Sequence, residues 1–161
     1  MNGNVPSTAP DGRHRYAVRV YYEDTDAGGV AYHATYLRYA ERARTEALRD
    51  AGIPHAELVQ RFTLMFVVRR LEVDYLRPAR LDESLIVVTE PLTVGGASVT
   101  LRQDVRGTEG SCAVLTVRLA CVRPGEGRPG RLPQRWRRVL ADMCAAARAA
   151  QDRELAGGSG S

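Results

Sequence analysis

The densest run of polar and small residues in this 161-residue chain is Tyr21-Tyr22-Glu23-Asp24-Thr25-Asp26-Ala27-Gly28-Gly29-Val30-Ala31-Tyr32-His33. Residues of these types at this spacing suit hydrolysis at a carbonyl carbon. A carboxylate, Asp24 or Asp26, can attack the carbon or take a proton from water. The Gly28-Gly29 pair lets the backbone turn tightly or come close to a ligand. His33 is of the residue type best suited to proton transfer near neutral pH. A helix starting just downstream presents unpaired N–H groups and the positive end of its dipole to an oxygen gaining negative charge. These are the parts that cleavage of an ester or thioester needs.

The same residues also have plainer uses. A loop aspartate commonly holds an Asx turn or caps backbone donors. A histidine at a helix start can be satisfied by solvent, and Tyr22 suits a half-buried strand position. Asp24, Asp26 and His33 together supply two carboxylates and one imidazole, a weak metal signal without further ligands. Spacing alone leaves the choice between Asp24 and Asp26 open.

The elements that would position these groups follow from the patterning. Residues 16–22 are β-rich and predict a first strand, broken by the turn chemistry of residues 24–29. Over residues 34–51, Tyr36, Ala40, Ala43 and Ala47 share one stripe at helical spacing, with Leu37 and Leu48 beside it and Arg38, Arg42 and Arg49 off it. So alanine-rich a stripe lets a helix press closely on whatever covers it. Gly52 and Pro54 then stop the helix. Residues 66–76 alternate, with Leu71, Val73 and Tyr75 opposite Arg70, Glu72 and Asp74, until Pro78. Strands are also expected over residues 85–89, 97–106 and 112–122, the last two joined by a turn at 107–110. Residues 123–133 form a Pro/Gly/Arg loop, and residues 134–153 predict a terminal helix with Trp136, Val139, Leu140 and Met143 as contacts. Strand, helix, then four strands is an α+β layout with one long helix against a mostly antiparallel sheet. Such a sheet has a bare edge, and pairing with a second copy would cover it.

The expected organisation is a flexible N-terminal arm over 1–13, a single domain over 14–133, and a C-terminal helix with flexible tail over 134–161. No apolar run reaches the length of a membrane span. The first residues lack the basic and apolar stretches of a secretory signal, so the expected location is cytoplasmic. Cys112, Cys121 and Cys144 have no metal spacing and read as reduced, small apolar residues. Every basic residue is arginine, which removes lysine amine chemistry. The net charge of +4 suits an anionic ligand. No basic-aromatic interleaving favours nucleic acid.

Val18 to His33, Tyr39 to Glu46, Phe66 to Arg70 and Tyr75 to Asp82 resemble hotdog-fold thioesterases of the 4-hydroxybenzoyl-CoA thioesterase type, and more closely the acyl-CoA thioesterases encoded beside the Tol-Pal envelope genes. The D-x-D-x-G-G-x-x-Y-H run is the most specific part, and the likeness spans residues 16–133. It implies an antiparallel sheet wrapped around one long central helix, dimerised into a continuous sheet and often paired again into a homotetramer. It implies Asp26 as nucleophile or general base toward an acyl-CoA, a carbonyl polarised by the N–H near His33, and Tyr22 and His33 as further catalytic members. Gly28 and Gly29, with Arg69 and Arg70, are the expected substrate-binding residues; Arg77, Arg123 and Arg128 are further arginines that could meet coenzyme A phosphates. Glu41 reads as structural. The resemblance implies no metal or organic cofactor, and an acyl carrier protein as a further partner. Two other readings are a hotdog dehydratase, whose usual motif is missing, and a non-catalytic module binding acyl thioesters or acyl carrier protein.

Overall fold

The computed structural model describes residues 11–158. Most of the expected arm, residues 1–10, and the end of the tail, residues 159–161, lie outside the described residues. The described end of the arm is tied to the body: the Arg13 guanidinium pairs with Glu90 at 3.0 Å and Glu154 at 2.6 Å.

Strands β1 (His14–Arg19), β2 (Met65–Tyr75), β3 (Ser84–Val94), β4 (Ser98–Gly107) and β5 (Gly110–Val122) form one antiparallel sheet in the order β1-β3-β4-β5-β2. Alternation sends Leu85 and Val87 of β3, Val99, Leu101 and Val105 of β4, and Leu115, Val117 and Leu119 of β5 into the core. They meet in register, Val87 opposite Val105, Leu101 opposite Val117 and Val99 opposite Leu119.

Across this face lies α1 (Thr35–Asp50), which buries Tyr36, Tyr39, Ala40, Ala43 and Ala47. The alanine stripe brings the helix backbone close enough for a direct polar clamp. Buried Gln103 of β4 donates to the Ala40 carbonyl at 2.8 Å and to Thr89 Oγ1 at 3.0 Å, and accepts from Arg44 at 3.0 Å. Gly52 follows α1 at φ +80°, where a side chain would be strained.

Three elements differ from the sequence expectation. A short helix, α2 (His55–Phe62), follows Pro54; it buries only Leu58, too little for a periodic signal. Strand β1 stops at Arg19 rather than at Tyr22, because the Tyr21 N–H turns to the Asp24 carboxylate. Strand β3 runs on to Val94, passing buried Pro91 where the pairing with β4 shifts register.

The terminal helix, α3 (Gln134–Gly157), extends past Arg153 and is longer than α1. It buries Trp136, Leu140, Ala147 and Ala150, and Leu140 and Met143 line a small apolar cavity with Leu48 and Leu101. It therefore shares the sheet face that α1 occupies. Cys112 and Cys121 are buried free thiols. No described helix is long and apolar enough to cross a membrane.

Candidate active site

After Arg19 the chain leaves the sheet because its next donors find partners elsewhere. Val20 pairs with the 82–83 segment, donating to the Glu83 carbonyl at 3.0 Å and accepting from Asp82 at 2.9 Å. The Tyr21 N–H then goes to the Asp24 carboxylate at 2.9 Å, which closes a single 3-10 turn over Tyr22–Asp24. Thr25 and Ala31 form an isolated bridge that begins a tight hairpin, in which the Asp26 N–H donates to the Val30 carbonyl at 2.9 Å. Gly29 sits at φ +75°, a backbone state that favours glycine. Ala31 donates to the Ala79 carbonyl at 2.8 Å, which fixes the far side of the hairpin to the segment after β2.

This geometry separates the two aspartates. Asp24 is committed to structure: its carboxylate accepts from Tyr21 N–H and from the Tyr39 hydroxyl, each at 2.9 Å. Its carbonyl accepts from Tyr32 N–H at 2.8 Å and from the Thr35 hydroxyl at 3.1 Å. Burial, and then the bond to Asp24, pushes the Tyr39 hydroxyl well above the usual tyrosine range, so it remains a donor. Asp26 is exposed. One of its carboxylate oxygens accepts from Gly28 N–H at 2.8 Å, and among the described residues no protein donor reaches the other.

Beyond the hairpin, the Thr35 N–H donates to the Tyr32 carbonyl at 2.8 Å and the chain enters α1, whose N-cap Ala34 supplies no side-chain cap. Among the described residues, the N–H groups of His33 and Ala34 have no backbone partner. His33 is exposed, its ring tilted against Tyr32 at 4.2 Å. Its carbonyl accepts from the Tyr75 hydroxyl at 2.9 Å. Beside it lies an open cleft of about 330 Å³, lined by Ala31, His33, Tyr36, Tyr75, Leu76, Arg77 and Pro78. Tyr36 is fixed there by accepting from Ala79 N–H at 3.0 Å, and burial raises its pKa.

The structure thus brings Asp26, Gly28, Gly29 and His33 onto one loop and helix start. Tyr22 stands at the loop entrance, 83% exposed. Arg69 and Arg70 are not beside Asp26 within one chain. Arg70 lies five residues from Tyr75 along β2, roughly 17 Å at the rise of a strand. There Arg70 pairs with Glu72 at 2.5 Å and Arg69 reaches the Gly127 carbonyl at 3.4 Å. Glu41 is exposed on α1 and has no ion pair within 4.0 Å among the described residues; burial lowers the pKa of nearby Arg44, and the Glu41 charge offsets part of that. Among the described residues no group of three His, Cys, Asp or Glu side chains could hold a metal ion.

Sequence reasoning missed Tyr39 and Tyr75 as residues that tie the loop down. Tyr39 had shown only its place in the helix, and Tyr75 only its alternation along a strand. Their partners Asp24 and His33 are 15 and 42 residues away in the chain.

Residues 28–114 match the family model of the thioesterase superfamily. The chain is 44% identical over 124 residues to the acyl-CoA thioesterase YbgC of Haemophilus influenzae, covering 77% of this chain and 91% of that protein. It is 43% identical over 121 residues to the acyl-CoA thioester hydrolase YbgC of Escherichia coli O157:H7, covering 74% and 90%. The crystal structure of a probable thioesterase from Bartonella henselae superposes with a TM-score of 0.71 at 38% identity, covering 75% of this chain and 99% of that one.

Proposed function

This chain belongs to the thioesterase superfamily and has its hotdog fold, and from that premise we propose that it hydrolyses acyl-CoA thioesters with Asp26 at the centre of the reaction. One observation carries the assignment. Asp26 stands exposed at the mouth of the loop with one carboxylate oxygen free of protein donors among the described residues, whereas the half-buried Asp24 carboxylate is held by two donors, Tyr21 N–H and the Tyr39 hydroxyl of α1.

Two routes use that free oxygen. It attacks the thioester carbon and expels the thiolate, giving a mixed anhydride that water then opens; or it takes a proton from water, which attacks instead. In either route negative charge builds on the carbonyl oxygen. The unpaired N–H groups at His33 and Ala34, with the α1 dipole behind them, are placed to stabilise it. The His33 side chain and Tyr22 flank the site, and Gly28 and Gly29 leave room for substrate. The cleft between His33 and Tyr75 would accept an apolar acyl group.

The exposed edge of β2 supports a homo-oligomer. Pairing of two β2 strands near their middles joins two sheets and brings Arg69 and Arg70 of the two copies side by side at the joint, five residues from either Tyr75. There they would meet coenzyme A phosphates. Two such dimers give the tetramer that the resemblance implies. Free buried thiols suit a reducing cytoplasm, and the net charge of +4 suits an acidic acyl carrier protein as an alternative acyl donor.

The test is thiol release from short, long and aromatic acyl-CoAs by the wild type and by Asp26→Asn. The asparagine keeps an oxygen for Gly28, so the turn survives. Its kcat should fall by roughly 10³-fold or more, as expected when a nucleophile or base is removed. A folded wild type that releases no thiol from any acyl-CoA or acylated carrier protein would return the chain to the binding-module reading.

A further inference from the structure

We infer that Asp24, locked to Tyr39, is the positioning residue of the site: a clamp that holds Asp26 and His33 in register with each other. The inference rests on the reading of Asp26 as catalytic and adds a second layer to it.

The clamp closes both ends of the loop. Asp24 stands two residues before Asp26, and its carbonyl takes the N–H of Tyr32, one residue before His33, at 2.8 Å. The same carbonyl takes the Thr35 hydroxyl at the first residue of α1. One peptide unit therefore fixes the separation between the carboxylate and the helix start that is to polarise the substrate.

The carboxylate of Asp24 anchors that unit. It reaches inward to the Tyr39 hydroxyl, and Tyr39 is 1% exposed on the second turn of α1, edge-to-face with Tyr36 at 6.5 Å. Its other contact, Tyr21 N–H, ends β1 and starts the 3-10 turn. Strand end, loop and helix are thus joined through one side chain. A capping aspartate would satisfy only its own turn; this one reaches 15 residues away into the core.

An error of about 1 Å at reacting groups can cost on the order of 100-fold in rate. Removing the Tyr39 hydroxyl should therefore act on turnover more than on binding. The loop backbone that shapes the cleft also remains held at Ala31 by Ala79 and at His33 by Tyr75.

The experiment compares Tyr39→Phe, Asp24→Ala and Asp24→Asn with the wild type, measuring kcat and KM on the best acyl-CoA and amide exchange across residues 24–35. Tyr39→Phe keeps the buried ring and loses one hydroxyl. It should lower kcat roughly 10-fold with KM changed less than about twofold. Asp24→Ala should lower kcat further, and Asp24→Asn, which retains an acceptor, should recover part of the loss. Exchange in Tyr39→Phe should speed up at Tyr32 and Gly28 and stay unchanged in the β4 and β5 core. Wild-type kcat in Tyr39→Phe with unchanged loop exchange would overturn the clamp, whatever the thermal stability. Loose loop exchange in a protein whose wild type releases no thiol would instead overturn the catalytic reading and leave the clamp standing.

Discussion

The Tyr75 hydroxyl donates a 2.9 Å hydrogen bond to the His33 carbonyl, joining the end of edge strand β2 to the start of α1. Tyr75 is 51% exposed, so this bond contributes about 0.5–1 kcal/mol to stability at most. Its effect on geometry is larger, because it orients the peptide adjoining the Ala34 N–H. Tyr75→Phe should lower kcat for acyl-CoA about three- to tenfold while a urea unfolding curve stays nearly unmoved. Equal turnover in the two proteins would remove Tyr75 from the site.

Much of this arrangement was legible in the chain, for reasons particular residues make plain. Ala40, Ala43 and Ala47 announced a helix lying close on a surface, and all three are buried in α1. Leu101, Val105, Leu115 and Val117 announced strands with one buried face. What patterning missed was set by hydrogen bonds outside any period. Tyr21 and Tyr22 are good strand residues, yet Asp24 takes the Tyr21 donor and β1 ends early. The strand expected over residues 85–89 runs on to Val94, because the register shift beside Pro91 lets β3 continue past a residue with no N–H. Asp24 and Asp26 are alike in type and context, and each accepts a local backbone N–H; the Tyr39 hydroxyl, brought from α1, ties Asp24 into the core and leaves Asp26 exposed.

Gln103 is the buried polar link between sheet and central helix. Replacing it with leucine keeps the volume but leaves Arg44, Thr89 and the Ala40 carbonyl without that partner. Burying such groups unsatisfied costs about 2 kcal/mol. Thermal unfolding of Gln103→Leu should therefore fall by roughly 4–8 °C for a chain of this size. A melting point within about 1 °C of the wild type would mean that water enters and replaces the amide.

Oligomerisation should depend on the bare part of β2. Val68 and Leu71 pair with Leu119 and Val117, on the face that points into the core, but they are 50% and 38% exposed where α1 no longer covers them. Apolar side chains on the buried face of an edge strand need another surface to pack on. Leu71→Arg places a charge there and should reduce the particle mass in sedimentation to that of one chain. A wild type that already sediments as a monomer would refute the edge pairing.

His55 should give stability a pH dependence before carboxylates begin to titrate. Its Nε2 accepts the Phe66 N–H at 3.1 Å, a bond that only the neutral ring can make, and burial holds its pKa below the usual 6.5. The unfolded chain therefore binds the proton more readily than the folded one. The contribution is fully present above pH 6.5 and is lost as the pH falls through the lower folded value. In melting curves taken from pH 7.5 down to 5.5, the wild type should lose stability as the ring protonates and α2 is released from β2. His55→Gln offers an acceptor that does not titrate, and its curve over the same window should be flatter. Identical slopes in the two proteins would show that the Phe66 bond survives protonation, and would leave the acid limb to other groups.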